Sequence, residues 1–240
     1  MCGRIAQSDS PYYYAMLAHW GGPPIDLPTK RIGNYNAVPG AKHWTFRERK
    51  GGQLTAEPDR WHYLSQWAEK TGMPAAINAR LDKLLTPYYR GLMKTGRIIV
   101  PADGWFEWTG NKAHRQPWYI KARNGAPLFL AALTSHDPAQ LDHDGTGFVI
   151  VTDAASGGMV DVHDRRPVVL TPESARLWMK LDLPFEQAEH LVQSRSLPSD
   201  AFEWYEVDSQ VNNARNNGPH LIERLRSGHG NDAAGALSGL

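Results

Sequence analysis

Arg97-Ile98-Ile99-Val100-Pro101-Ala102-Asp103-Gly104-Trp105-Phe106-Glu107-Trp108 is the stretch on which the fold turns. Its first half is a short apolar run with β-branched residues at three successive positions, which reads as a buried strand. Its second half sets one carboxylate, Glu107, among three aromatic rings. Two readings of Glu107 stand open. Desolvation among Trp105, Phe106 and Trp108 would raise its pKa and suit it to acid/base work. Strand alternation also places it on the face opposite Phe106 and Trp108, where it would meet water.

Working outward, residues 117–121 and 127–134 read as strands, with Arg123-Asn124-Gly125 between them as a hairpin turn. Residues 147–152 form another buried strand and 168–170 a short one. Residues 43–49 read as a strand with Lys50-Gly51-Gly52 at a hairpin tip, and 204–207 as a late strand. Helices are expected over 11–20, 84–94, 172–181, 185–193 and 221–226; Pro11 and Pro172 stand at first-turn positions. Many short strands with a few helices between them predict an α+β fold: a single domain on a strongly curved, largely antiparallel, barrel-like sheet with peripheral helices. The domain is expected over 1–226. The Gly-, Ala- and Ser-rich residues 227–240 read as a disordered tail.

Composition narrows the function. A net charge of +1 excludes a polycation, so any nucleic-acid contact must be a local basic groove. The 9 Trp residues suit a bulky core or stacking on bases. A single cysteine excludes an internal disulfide framework and a cysteine-based zinc site, and no metal or cofactor is expected. No apolar run reaches membrane-span length, and the chain opens without a signal peptide. A cytoplasmic monomer is expected, nucleoid-associated if bacterial.

That single cysteine is Cys2, directly behind Met1. Removal of Met1 would leave an α-amine and a thiol on one residue, both partly nucleophilic near neutral pH at their reference pKa values. Such a 1,2-aminothiol condenses with an aldehyde to an imine, which the thiol closes to a thiazolidine; an incidental residue on a frayed terminus is the bland alternative. His163 lies in Asp161-Val162-His163-Asp164-Arg165-Arg166, where carboxylates could orient its ring. Asn78 and Arg80, two residues apart, would share a strand face, and Arg80 and Arg4 could each donate twice to a phosphate.

Taken together, Met1-Cys2-Gly3-Arg4, Asn34 to Gly40, Ile77-Asn78-Ala79-Arg80, Gly104-Trp105-Phe106-Glu107-Trp108 and Asp161 to Pro167 resemble the SRAP family (SOS response-associated peptidase). The resemblance runs from Met1 to about Ile222. It implies binding of single-stranded DNA and a covalent, thiazolidine-linked crosslink to abasic sites that shields the lesion. It also implies a thiol autopeptidase acting ahead of the cysteine, and a lyase-type activity. Carried over by motif, Cys2 is the nucleophile, Glu107 handles protons at its amine, His163 assists opening of the sugar and Asn78 holds the amine region. Arg4, Asn36, Pro39, Trp61, Trp67, Arg80 and Thr152 would contact DNA or line its pocket. The family's Trp-Gly-x-x-Pro-x-Trp loop here reads Trp61-His62-Tyr63-Leu64-Ser65-Gln66-Trp67. A thiol peptidase acting on other proteins, or a non-covalent single-strand binder, are the alternatives.

Overall fold

The computed structural model describes residues 2–20, 26–111, 114–137 and 139–225. In chain order the elements begin with β1 (Ile5–Gln7), α1 (Pro11–Leu17), β2 (Asn34–Ala37), β3 (Lys42–Glu48), β4 (Leu54–Arg60), α2 (Gln66–Lys70) and β5 (Asn78–Arg80). They continue through α3 (Pro87–Thr95), β6 (Arg97–Ala102), β7 (Gly104–Asn111), β8 (His114–Ala122), β9 (Leu128–Thr134) and β10 (Phe148–Ala154). The last are β11 (Arg165–Pro167), β12 (Val169–Leu170), α4 (Pro172–Trp178), α5 (Phe185–Ser194) and β13 (Phe202–Glu206).

The strands form two sheets. One runs β13-β8-β7-β1-β2; the other runs β11-β10-β9-β6-β3-β4, with β12 added against β9 and β5 against β10. The α+β class and the mainly antiparallel pairing hold. The expected barrel does not close: the two sheets remain separate and face each other.

Alternation along β6 explains the layering. Ile98 and Val100 join Ile5, Trp105, Ile120 and Phe202 in a core between the sheets. Ile99 points the other way, toward Tyr14, Leu84, Met93, Trp178 and Leu191 beneath the helices. The outer face of the first sheet, with Ala6, Phe106 and Tyr119, is covered by Val207, Val211 and Leu221 from the last turns. The five-residue apolar run Ile98–Ala102 is therefore buried on both faces, as its lack of alternation requires.

Between β6 and β7 the chain passes from one sheet to the other through a single residue, Asp103. Its carboxylate accepts from the Ser8 amide at 2.8 Å and from the Tyr14 hydroxyl at 2.7 Å. The next residue must be Gly104, because a Cβ there would lie 2.4 Å from the Ile120 carbonyl oxygen. Helix ends are handled by side chains. Ser10 and Thr171 cap α1 and α4, each with proline at the first turn,. The buried Arg97 donates to carbonyls of Met93, Trp178, Lys180 and Leu183, gathering the C-terminal ends of α3 and α4,.

Two further expectations fail. Arg123-Asn124-Gly125 does not close a hairpin: β8 pairs with β7 and β13, while β9 pairs with β6, β10 and β12. The turn is a corner between sheets, because the two strands' apolar sets are matched to different neighbours. The helix expected over 221–226 is instead a short 3-10 turn at Pro219–Ile222, where the proline sets the turn and the backbone then extends. The 43–49 hairpin strand is observed, paired along its length with β4. The tail at 227–240 lies outside the described residues.

Candidate active site

Cys2 precedes β1 and is fully buried. Its carbonyl oxygen accepts a 2.9 Å hydrogen bond from the Asn78 Nδ2. Asn78 is placed by β5, a three-residue strand added parallel to β10 with Asn78 opposite Ile150 and Arg80 opposite Thr152. Small residues permit this close addition, Ala79 being fully buried between its neighbours.

Glu107 enters from β7. Alternation does set it opposite Phe106 and Trp108, but that face is the rim of the inter-sheet core, not water. Glu107 is 3 % exposed, and burial raises its carboxyl pKa from 4.5 to about 7,. His163 follows a 3-10 turn (Gly157–Asp161) and brings its Nε2 to 3.9 Å from Glu107 Oε2. Burial lowers the imidazole pKa. The ring's Nδ1 lies 3.0 Å from the Arg165 amide, which donates to it, and 2.8 Å from Asp164 Oδ1. One nitrogen cannot accept from the amide and donate to the carboxylate together. The Arg165 contact belongs to the neutral ring with its proton on Nε2; the Asp164 contact requires a proton on Nδ1.

With Met1 in place, the Cys2 thiol departs from the reference pKa expected of it. Burial pushes the Cys2 thiol well above its ordinary range, and the charge of Glu107 adds to the effect. In this fold the thiol is protonated at neutral pH.

Glu107 and His163 open onto a cleft of about 930 Å³ whose lining includes Arg4, Trp108, Arg115 and Asn212, with the buried Cys2 behind it. Arg4 and Arg115 stand against the Trp108 ring, their Cζ atoms 5.5 and 5.3 Å from its centroid,. The indole is held by its Nε1, which donates to Asn212 Oδ1 at 2.6 Å. Arg4 is held on its other side, Nη1 donating to Asn36 Oδ1 and to the Val211 carbonyl. Burial, then the nearby charge of Arg115, lowers the Arg4 pKa. Arg115 and Asn212 carry no sequence signal of their own; only the pairing of β7 with β8 and the packing of the last turns bring them to the cleft.

Three residues expected at a DNA surface are buried instead. Trp61 is fully buried, nearly parallel to Phe148 at 6.1 Å, and donates through Nε1 to the Ile77 carbonyl at 2.8 Å. It presents no free ring face; it supports the strand entering Asn78. Asn36 spends its amide nitrogen on carbonyls of residues 213 and 216 and its oxygen on Arg4. Thr152 is buried, its Oγ1 accepting from Arg165 at 3.2 Å. Pro39 is half-buried beside the turn where the Gly40 amide donates to Trp61. Trp67 is 64 % exposed on α2, whose N-cap is Ser65. Arg80 is exposed, and its guanidinium is engaged by Asp82.

Among the described residues no helix is long and apolar enough to cross a membrane. Comparison with known proteins gives a consistent relationship. The abasic site processing protein YedK of Escherichia coli (strain K12) is 40 % identical over 225 residues, 93 % of this chain and 99 % of the relative. The abasic site processing protein YoqW of Bacillus subtilis (strain 168) is 34 % identical over 170 residues, covering 68 % and 74 % of the two chains. The crystal structure of a phage-related protein from Bordetella bronchiseptica has a TM-score of 0.74 at 36 % identity, covering 87 % of this chain and 95 % of that one. The family model for SOS response associated peptidase (SRAP) matches residues 1–214, and the chain that folds Cys2, Asn78, Glu107 and His163 together belongs to that family.

Proposed function

We propose that this protein binds single-stranded DNA and captures abasic sites covalently through Cys2 after removal of Met1, shielding the lesion. One observation carries the reading most: a fully buried Cys2 whose carbonyl is fixed by Asn78, beside a carboxyl whose pKa lies near neutrality. Support also comes from the relatives YedK and YoqW, both named abasic site processing proteins.

The order of events follows from the chemistry of a 1,2-aminothiol with an aldehyde. The α-amine attacks first, adding to the C1′ aldehyde of the open sugar. The carbinolamine loses one water to give an imine. The thiol then adds to the imine carbon; the S–C bond forms as the sulfur proton is transferred to nitrogen, closing the thiazolidine. Glu107 relays protons at the amine, and a pKa of about 7 lets it both accept and donate near neutral pH. His163 assists ring opening and reclosure. Arg4, Arg80 and Arg115 hold phosphates, and Trp67 offers a stacking face. The same thiol and acid/base pair serve in removing the residue ahead of Cys2.

The test uses an untagged protein and a single-stranded oligonucleotide with one abasic site, beside the intact oligonucleotide, on a denaturing gel with intact mass. The expected species is the summed mass minus Met1 and minus one water, on the abasic strand alone. No adduct, with Met1 shown to be gone, overturns the proposal and leaves a peptidase as the reading to pursue.

A further inference from the structure

One exposed arginine of the proposed strand-binding surface, Arg80, already holds an anion made by the chain itself. Arg80 Nε donates to Asp82 Oδ1 at 2.9 Å and Nη2 to Oδ2 at 2.8 Å. This is the two-pronged geometry with which a guanidinium takes a carboxylate or a phosphate. Asp82 is set by the chain: β5 ends at Arg80 and a 3-10 turn (Leu81–Lys83) follows at once, folding the carboxylate back onto the guanidinium two residues earlier. The charge of Asp164 also acts on Arg80. Arg4 differs, being tied to neutral oxygens of Asn36 and Val211, so its charge is not neutralised by a carboxylate partner there.

We infer that Asp82 determines specificity by occupying the phosphate position of Arg80. The inference rests on the proposed single-strand binding. A backbone phosphate must displace the Asp82 carboxylate to reach Nε and Nη2. Binding of an undamaged strand therefore exchanges one anion for another and gains little at Arg80. A lesion-bearing strand is retained by the covalent bond at Cys2, which Asp82 does not touch. Asp82 thus shortens residence on undamaged DNA while leaving capture to the chemistry, and it widens the difference between the two.

An exposed ion pair contributes little, so its removal has a bounded effect. Asp82→Asn is expected to tighten binding of an intact oligonucleotide by about two- to fivefold. It is also expected to steepen the dependence of log affinity on log salt by about 0.7, one further phosphate neutralised on a single strand. Removing any acidic residue near DNA would help somewhat, so the deciding measurement is a double-mutant cycle. Fluorescence anisotropy would compare the parent, D82N, R80A and the R80A/D82N pair across a salt series. The result expected is that D82N has no effect in the R80A background. Equal tightening in both backgrounds, or no change in D82N, overturns the inference. The same parent protein is run against an abasic strand on a denaturing gel. If it binds and crosslinks while D82N matches it in affinity, only Asp82's role falls. If it neither binds nor crosslinks, the function falls and this inference with it.

Discussion

Asn78 donates to the carbonyl oxygen of Cys2 at 2.9 Å, while its own Oδ1 is buried and without a hydrogen-bond partner. The residue fixes the backbone of residue 2 rather than its thiol. An acceptor left open beside that backbone suits the N–H bonds of a freed amine. Asn78→Ala should slow adduct formation at least tenfold at saturating strand with less than a twofold change in strand affinity. Single-turnover kinetics against anisotropy separates the two; equal losses in both would make Asn78 a DNA contact instead.

Glu107 gives a pH signature with a defined sign. Its folded-state pKa of about 7 lies above the ordinary 4.5, so the fold favours the protonated form. Its stability contribution is full below about pH 4.5 and is lost as pH rises through 7, a cost on the order of 3 kcal/mol. Glu107→Gln should therefore be more stable than the parent at pH 8 and level with it near pH 5, read by urea unfolding. The parent's capture rate should rise through pH 7, and the variant's rise should be absent. A difference in stability that is the same at both pH values would contradict the assignment.

Cys2→Ala keeps the amine and loses the thiol. It should form an imine that borohydride traps, and no adduct that survives denaturation unreduced. An uncleaved N-terminal tag should abolish both products. A tagged protein that crosslinks normally would exclude the α-amine as the attacking group.

The two tryptophans of the 61–67 loop should separate cleanly. Trp61→Ala opens a hole in the inter-sheet core and should cost about 3–5 kcal/mol of stability. Trp67→Ala, on an exposed ring, should change stability by less than about 0.5 kcal/mol and weaken single-strand binding about tenfold, the scale of one lost stack. Unfolding curves and anisotropy on both variants check the assignment.

Asn36 acts through Arg4. Asn36→Ala and Arg4→Ala should each weaken strand binding, and the double variant should be no weaker than Arg4→Ala, a failure of additivity that a shared partner produces. Additive losses would place Asn36 in contact with DNA by itself.

The reach of the sequence can be argued from these same residues. Cys2, Asn78, Glu107 and His163 became candidates through the order of their blocks along the chain, since each alone had an ordinary reading, Glu107 on a wet strand face among them. Arg97 to Ala102 was legible as a strand because its apolar run is set by local burial on two faces. What local signals could not decide was pairing. Asn124-Gly125 announces a reversal, yet β8 and β9 turn away into different sheets, and their partners are chosen by apolar matching across the whole chain. Trp61 failed for a related reason: an aromatic in a polar-looking loop has the same letter whether it faces a base or Phe148. Arg115 and Asp82 are ordinary surface residues until the topology sets them beside Trp108 and Arg80.

The burial of Cys2 also has a consequence in time. Residue 2 emerges first from the ribosome, while the residues that enclose it, Ile98, Trp105, Ile150 and Phe202 among them, are added much later. At ordinary synthesis rates the 240 residues take about 10–50 s to complete. During that interval the start of the chain is unenclosed and open to an aminopeptidase; afterwards its second residue is enclosed between two sheets. For the proposed chemistry, maturation of the terminus then has two windows: another enzyme can act while the chain is being made, and only the site's own thiol and acid/base pair can act once it has folded.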